Sequence, residues 1–412
     1  MSQKNLNTPS IPFSIWALGI ATFLINVSSV IVFGLSAVYM KTILGVGTGW
    51  IGLLEGVVEA GAYATKVFSG VFSDYLRRRK AIMIWGFALA TIARPLLAIS
   101  SSFGAVFTAR ILDRVGNGVQ STPRDALVGD ISPPEIKGTC YGLRQSLATA
   151  GSFFGGIVGV AAMLWTGQNF QMVFWIASIP AILALIILIL AVKEPEPKDA
   201  DPKTHKIARH PIHWNDLPRL GRPYWLLMIV ASVFMLARVG EAMLILHAHQ
   251  NFGLSESYTP LILILYNGAN SLASYPIGRL SDKIDRHIIL GLGVVILIVA
   301  DILLGWAPNL PTMMVGVAIW GIQIGITQSM FLALVADTVP DDLRGTGFGI
   351  FYLISAVSLV IAGTAGGTIA QHYTEHATFM ASSVVGSVAL VVLIFVAKKT
   401  KKIEKTLIQS SI

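Results

Sequence analysis

The sequence comprises 412 residues, of which 54% are hydrophobic and 13% charged, and its mean hydropathy is +0.69. Soluble domains carry about 25% charged residues, so this composition excludes an ordinary soluble fold. The net charge of +8 does not indicate a nucleic-acid partner, because most basic residues lie in connections between apolar segments.

Twelve apolar segments follow one another along the chain, and each is long enough to span the hydrocarbon core of a bilayer, which takes about 20 residues. They lie at roughly 15–40, 46–72, 81–99, 103–128, 140–163, 171–192, 223–248, 257–280, 288–306, 311–336, 346–370 and 376–397. The polar residues 1–14 lack a signal-peptide cleavage pattern, so the first segment is expected to stay in the membrane.

The second half of the sequence repeats features of the first. Glycine, aspartate and arginine keep a four-residue spacing in two copies: Gly70, Asp74 and Arg78, then Gly278, Asp282 and Arg286. A second block, from Ala126 to Gly142, returns as Ala333 to Gly349. Internal repeats are typical of solute transporters.

The sequence therefore predicts an all-α membrane protein with 12 transmembrane helices in two pseudo-symmetric six-helix halves. Residues 1–192 and 223–397 form the halves, 193–222 the linker between them, and 398–412 a basic tail. Twenty Lys and Arg residues fall in the linker, the tail and the connections on their side, against Lys41 alone on the other side. The positive-inside rule then predicts that both termini and the linker are cytoplasmic.

The segment from Gly70 to Lys80 resembles the G-x-x-x-D-x-x-x-R-[RK]-x-[RK] signature that follows helix 2 in the major facilitator superfamily, with a weaker copy after helix 8. The resemblance covers the whole chain. It implies a secondary transporter in a bacterial inner membrane, working as a monomer on a small-molecule substrate, coupled to protons and without a cofactor. It also implies that the two copies of the motif latch the halves together in the outward-facing state.

Helix 4 carries an unusual stripe of polar residues. Arg110, Arg114, Asn117, Ser121 and Arg124 follow a helical rhythm that stacks them on one face. A charge facing lipid costs about 2.5–3.5 kcal/mol, so the stripe is expected to face a wet cavity or buried partners.

Two acids flank this stripe, Asp113 and Asp125, and could neutralise part of its charge. In the family, helix 4 carries an R-x-x-x-x-x-G motif linked to proton transfer, matched by Arg110 and Gly116. The Asp113-Arg114 pair departs from the usual polar-then-glycine pair between them.

Helix 2 places Glu55 and Glu59 one turn apart, and helix 3 carries Arg94 before Pro95. One interpretation pairs a glutamate with Arg94 as a structural ion pair. The other is a proton-carrying site, because taking up a proton relieves the repulsion between two carboxylates in a low-dielectric medium.

Further polar residues fall on helices 1, 7 and 10, which line the central cavity in the family. We select Asn26 on helix 1, Arg238 and Glu241 on a continuous helix 7, and Trp320 and Gln323 on helix 10. Asp301 on helix 9 is the counterpart of Arg94 in the other half, and the sequence assigns it no role.

The three central arginines, Arg110, Arg114 and Arg238, outnumber the two central acids, Asp113 and Glu241. A helix-4 arginine should therefore remain to grip a substrate carboxylate or phosphate. The predicted substrate is a small anionic or zwitterionic solute, such as an organic acid, an amino acid or a carboxylate-type siderophore, taken up with protons. Substrate contacts are expected from Arg110, Arg114, Asn117, Arg238, Trp320, Gln323 and Asn26, and proton coupling from Asp113, Glu241, Glu55 and Glu59.

Two other functions stay open. A drug or metabolite exporter of the same fold is disfavoured by the charged cavity and by Gly156, which stands where the antiporter motif of helix 5 has proline. A receptor or scaffold without transport is disfavoured because both rim motifs are retained. The sequence contains no catalytic motif, and its linker histidines lack the partners of a metal site.

Overall fold

The computed structural model describes residues 10–76, 78–194, 214–280, 284–340 and 343–410. Residues 195–213 of the linker and Asp282 lie outside the described residues, and the surroundings of Gly70, Asp74 and Gly278 are not described either. Their predicted roles therefore stay predictions.

Thirteen long helices make up the described chain, and they confirm the predicted all-α fold with twelve spans. Their bounds are α1 Phe13–Thr42, α2 Thr48–Leu76, α3 Arg79–Ala98, α4 Phe103–Ile131, α5 Lys137–Trp165, α6 Phe170–Ala191, α7 Arg222–Leu236, α8 Glu241–Phe252, α9 Pro260–Leu280, α10 Arg286–Gly305, α11 Leu310–Thr338, α12 Arg344–His372 and α13 Glu375–Ser410. By length and composition alone, nine described spans are apolar enough to cross a membrane, and α2, α4 and α9 fall outside this set.

Equivalent contacts recur in the two halves. Ser102 accepts a hydrogen bond from the backbone of Ala105 at the start of α4, and Asn309 does the same for Thr312 at the start of α11. Such caps satisfy amide groups that have no partner within the helix. The repeat seen in the sequence thus fixes where corresponding helices begin.

The seventh span is not the continuous helix that we predicted at 223–248. Helix α7 ends at Leu236, and α8 begins at Glu241 with Gly240 as its N-cap. Gly240 has φ −69° and ψ 148°, an extended conformation that interrupts the helical hydrogen bonds. The break therefore leaves residues 237–240 as irregular backbone inside the bundle, which is tolerated where it is buried in protein or lines a cavity.

The two halves touch most closely where α2 crosses α12. A Cβ atom added to Gly52 would lie 2.3 Å from the carbonyl oxygen of Gly363, and one added to Gly56 would lie 2.8 Å from that of Leu359. Only glycine allows backbones to approach this closely. These residues lie toward the ends of α2 and α12 remote from the linker, so the bundle is closed on that side.

A second contact between the halves lies on the same remote side. Gly156 of α5 packs on Ile264 of α9, and Gln168 donates hydrogen bonds to Ser255 and Ser257. Toward the linker, α5 and α9 instead border a cavity of about 670 Å³. The halves are therefore in close contact on the remote side and leave a cavity between α5 and α9 toward the linker.

The glycine contact generates a prediction about conformation. Replacing Gly52 by Val overpacks the α2–α12 contact, and such overpacking costs about 1–3 kcal/mol. We expect the remote side to open. Spin labels at positions 104 and 373, in a Cys140→Ala background, should report a longer distance between the halves.

The matched control is Gly61→Val, on the same helix, because a Cβ at Gly61 would have no neighbour within 4 Å. That variant should keep the parental distance distribution. Equal distributions in both variants would mean that the glycine contact does not hold the remote side closed.

Candidate functional site

Charged residues from both halves meet at the middle of the bundle. We call six of them the central cluster: Glu55 and Glu59 of α2, Arg110 and Arg114 of α4, Arg238 at the α7–α8 break, and Glu241 at the start of α8. The helices bring them together because α2 packs on α4, on α8 and on α12.

Arg110 and Glu55 form a buried ion pair within the first half. One Arg110 Nη atom lies 2.7 and 2.9 Å from the two Glu55 carboxylate oxygens, and the side chains are 1% and 5% exposed. The Arg110 guanidinium also lies 4.7 Å from the centre of the Phe33 ring. This arginine has a carboxylate and an aromatic face as partners.

Arg94 is held by Asp113, and not by Glu55 or Glu59 as one interpretation of the sequence proposed. Its guanidinium also donates to the hydroxyls of Ser28 and Ser29 on α1. Asn117 donates to the same carboxylate at 3.2 Å. Asp113 therefore neutralises Arg94 instead of the helix-4 stripe, and Asn117 supports this pair.

Arg114 and Glu59 lie closer to solvent than the two buried pairs. Their nearest charged atoms are 3.4 Å apart, and the side chains are 24% and 35% exposed. Arg114 also packs on the Phe33 ring, with 4.9 Å between the guanidinium carbon and the ring centre. The sequence prediction of an unpaired helix-4 arginine is thus wrong, since Arg110 and Arg114 each face a glutamate of α2.

Arg238 is the central arginine without an ion pair to any acid in the described part of the chain. Its guanidinium interacts electrostatically with the hydroxyls of Tyr63 and Tyr266 and with the carboxylates of Glu241 and Glu59. The break in the seventh span explains its position, because residues 237–240 leave the helix axis beside the cavity. Arg238 and Glu241 do not share the single helical face that a continuous helix would give them.

A small cavity lies at the centre of the cluster, under the α2–α12 contact. It measures about 40 Å³, and its lining includes Glu55, Glu59, Arg238, Glu241 and Trp320. Trp320 is fully buried, and its Nε1 donor has no hydrogen-bond partner among the described residues. A buried donor without a partner is costly, so this N–H is available to an acceptor on a bound solute.

Asn26 lies apart from this cavity. Its amide donates to the carbonyl of Ala148 at 2.9 Å, and it borders the larger cavity between α5 and α9. The described lining of that cavity is polar and uncharged, and it includes Asn26, Gln145, Thr149, Asn267, Asn270 and Ser274. We call this cavity the vestibule, and it shares no described lining residue with the central cavity.

Gln323 is buried in α11 and donates to Thr327 one turn away, while its Oε1 atom has no described partner. It is not part of the described lining of the central cavity. The structure thus brings Trp320 to the cluster and leaves Gln323 beside it.

The rim on the linker side carries two equivalent ion pairs. Arg286 contacts Asp337 at 2.5 Å, and Arg79 contacts Asp130 at 2.9 Å. The repeated motif aligned Arg286 with Arg78, which is exposed at the start of α3. Because Arg79 pairs with Asp130 as Arg286 pairs with Asp337, the structural counterpart of Arg286 is Arg79.

Sequence reasoning did not select four features of the site. Phe33, Tyr63 and Tyr266 surround the cluster with aromatic rings, and Gly240 ends the irregular segment of the seventh span. Gly240 next to Glu241, inside an apolar run, was the available signal for a break. Tyr63 follows Glu55 and Glu59 at helical spacing on one face of helix 2, whereas Phe33 and Tyr266 gave no signal, because aromatic residues are common throughout membrane helices.

Comparison with known proteins gives a consistent result. The family model described as Major Facilitator Superfamily matches residues 18–246 and 228–410. An uncharacterized MFS-type transporter of Methanocaldococcus jannaschii is 25% identical over 401 residues, which cover 96% of this chain and 98% of that protein.

Solved structures share the fold at low sequence identity. A bacterial homolog of the human lysosomal transporter Spinster, in an inward-facing and unoccupied conformation, has a TM-score of 0.74 at 16% identity and covers 96% of this chain and 99% of its own. A POT family transporter in complex with 5-aminolevulinic acid has a TM-score of 0.76 at 12% identity, covering 95% and 97%.

The buried pairs predict which acids are structural. Asp113→Leu leaves the Arg94 charge buried without its carboxylate, and breaking a buried pair in this way costs about 3–5 kcal/mol. Arg94→Leu/Asp113→Leu removes both charges and should recover most of that loss. Apparent melting temperatures of the purified variants in one detergent test this.

Glu59→Gln is the control, because its pair with Arg114 is partly exposed and such pairs contribute about 0–1 kcal/mol. Equal destabilisation by Asp113→Leu and by the double replacement would show that the charge of Arg94 does not need compensation.

Proposed function

Because this chain belongs to the major facilitator superfamily, we propose that it takes up a small zwitterionic or anionic solute together with protons by alternating access. It is an integral multi-pass membrane protein and a transporter of a small molecule, not an enzyme. The proposal concerns the class of solute, the coupling ion and the direction.

The observation that carries the proposal is the position of Arg238. Its guanidinium borders the central cavity and forms no ion pair with a described carboxylate, whereas Arg94, Arg110 and Arg114 each face one. A guanidinium binds a carboxylate or phosphate through two parallel hydrogen bonds. The solute would therefore place its anionic group on Arg238.

The same cavity also presents acceptors. Glu59 and Glu241 border it from opposite halves, and Trp320 supplies a donor. An amino group beside the carboxylates and a carboxylate on Arg238 would satisfy all of these groups at once. This favours a zwitterion such as an amino acid over a dianion, and the neighbouring fold that binds 5-aminolevulinic acid is compatible with it.

The charges that border the cavity favour a solute that carries both signs. Its charged lining residues are the acids Glu55, Glu59 and Glu241 and the single base Arg238. Lys66 borders a neighbouring pocket that Arg238 also lines, with its ammonium 5.2 Å from the Tyr63 ring centre. A hydrophobic cation, which is the cargo expected of the rival exporter, would leave the Arg238 guanidinium without a partner.

Proton coupling is assigned to the two glutamates that face the cavity. Glu55 and Asp113 were also candidates, but each is nearly fully buried against an arginine. Glu59 and Glu241 are half-buried, act on each other electrostatically and border the cavity. A proton arriving at Glu59 would weaken its ion pair with Arg114, and one arriving at Glu241 would remove a negative charge beside Arg238.

Transport would follow from opening and closing of the two sides. The described conformation has its halves in close contact where α2 meets α12 and contains the vestibule on the linker side, through which we propose that the site opens. With the linker and both termini in the cytoplasm, as the charge distribution predicts, this is the state that releases solute into the cell. We propose the cytoplasmic membrane of a bacterium as its location, a monomer as its working form, and halves at 1–192 and 223–397.

Arg238→Lys tests the anionic contact. Lysine keeps the charge but loses the planar fork, so affinity should fall by the worth of a charge-assisted hydrogen bond, about 1.5–3 kcal/mol. Isothermal titration of purified protein with amino acids and organic acids measures this. Arg114→Lys, whose arginine already faces Glu59, serves as the matched control and should lose less.

Undiminished affinity in Arg238→Lys would refute the anionic contact. A hydrophobic cation as the tightest ligand would replace the proposal with the exporter.

Glu59→Gln and Glu241→Gln test the coupling. If these groups carry the proton, their amide variants should exchange labelled solute across proteoliposomes but fail to accumulate it against a gradient. Glu256→Gln, in the short turn that precedes α9 on the remote side, should accumulate solute normally. Full proton-driven accumulation in both cavity variants would remove these residues from the coupling mechanism.

A further inference from the structure

A buried acid outside the central cluster remains unused by this mechanism. Asp301 lies on α10 and is fully buried. It ion-pairs with none of the cations in the described part of the chain. Its Oδ2 atom lies 2.5 Å from the Ser382 hydroxyl, and its Oδ1 atom has no described partner.

The Ser382 hydroxyl contacts two oxygen atoms, and these contacts determine whether the Asp301 carboxyl group carries a proton. Besides Asp301, its hydroxyl is in hydrogen-bond contact with the carbonyl oxygen of Ala237. A hydroxyl has one proton to donate, and a carbonyl oxygen only accepts. Both contacts are therefore hydrogen bonds only if the Asp301 carboxyl carries a proton and donates it to Ser382, while Ser382 donates to Ala237.

Burial leads to the same conclusion independently. A carboxylate removed from water without a cation is far more costly than a neutral carboxyl group, so such a group takes up a proton. On α10 itself and on α11 and α13, which pack on it, the ionisable residues with described side chains besides Asp301 are Arg286, His287, Asp337, Glu375, His376, Lys398 and Lys399. The neighbouring seventh span adds Arg238, Glu241, His247 and His249.

None of these groups pairs with Asp301. His247 and His376 contact the backbone carbonyls of Leu304 and Gly305, at the end of α10 beyond Asp301. Arg286 and Asp337 pair with each other at the opposite end.

The position of Ala237 connects this carboxyl to the transport site. Ala237 is the C-cap of α7, so its carbonyl belongs to the break in the seventh span, directly before Arg238. When Asp301 is neutral, Ser382 can donate to that carbonyl. When Asp301 loses its proton, the carboxylate becomes the stronger acceptor and draws the Ser382 hydroxyl away from the break.

We propose that Asp301 is a proton-binding site of the second half. Through Ser382, the protonation state of Asp301 controls the hydrogen bond to Ala237 in the broken seventh span, and so the position of Arg238. The link to transport rests on the function proposed above, but the proton on Asp301 does not. The site differs from the glutamates of the central cluster because it does not border the cavity that holds the solute.

Infrared difference spectroscopy tests the proton directly. Purified protein near neutral pH should show a carbonyl stretching band of a protonated carboxyl group that is absent in Asp301→Asn. Asp337→Asn, which removes a rim aspartate 53% exposed in its side chain, should keep the band. Identical carboxyl spectra in the parent and in Asp301→Asn would show that Asp301 is ionised and overturn the proposal.

Ser382→Ala gives a second variant should Asp301→Asn not fold. Without its acceptor, the same band should move to higher frequency, and an unmoved band would contradict the Asp301–Ser382 contact. A band that appears only when sodium is withdrawn would replace the proton with a metal cation and also overturn the proposal.

Transport measurements on Asp301→Asn distinguish a failure of the proton site from a failure of the proposed function. The asparagine amide can still donate to Ser382, so we expect solute exchange to persist while its dependence on pH weakens severalfold. A protonated Asp301 in a protein that moves no solute would leave the site intact and refute the proposed function. Unchanged pH dependence, with the band lost as expected, would refute the link to the seventh span.

Discussion

The interior of this molecule depends on one constraint: a charge inside the bilayer needs a partner or access to water. The constraint sorts the intramembrane charges by their surroundings. Arg94 with Asp113 and Arg110 with Glu55 are sealed pairs, and they tie α1, α2, α3 and α4 into one unit. Arg114 and Glu59 are partly exposed, and Glu59, Arg238 and Glu241 border the central cavity, so the proposed transport cycle uses these groups.

The two halves differ in structure at the break in the seventh span. The first half holds its buried charges in pairs of side chains, whereas the second offers irregular backbone, an arginine at the cavity and an acid behind it. Where the first half has Arg94 facing Asp113, the corresponding positions of the second half hold Asp301 and Trp320. Duplication supplied the same scaffold twice, and the substitutions gave the second half the groups to which we assign the solute contact and a proton.

The sequence predicted the architecture well because hydrophobic length and internal repeats determine it directly. It also located the polar helices correctly, since charged residues in apolar runs are conspicuous. It did not predict the pairing: Arg94 has several acids within reach of neighbouring helices, and only packing in three dimensions selects Asp113. The break at 237–240 was missed because the apolar run continues through it, and the surrounding tyrosines resemble ordinary membrane-helix residues.

The contact of Gly52 and Gly56 with α12 has a consequence for how solute specificity can evolve. On the remote side the halves meet by backbone packed on backbone, and the glycines of this contact, Gly52, Gly56 and Gly363, also border the central cavity. If Arg238, Glu241 and Trp320 bind the solute as proposed, substitutions there would change the solute while the glycine contact stays the same. A family of transporters that share this glycine contact could then change solute specificity by single substitutions, while the contact between the halves stays the same.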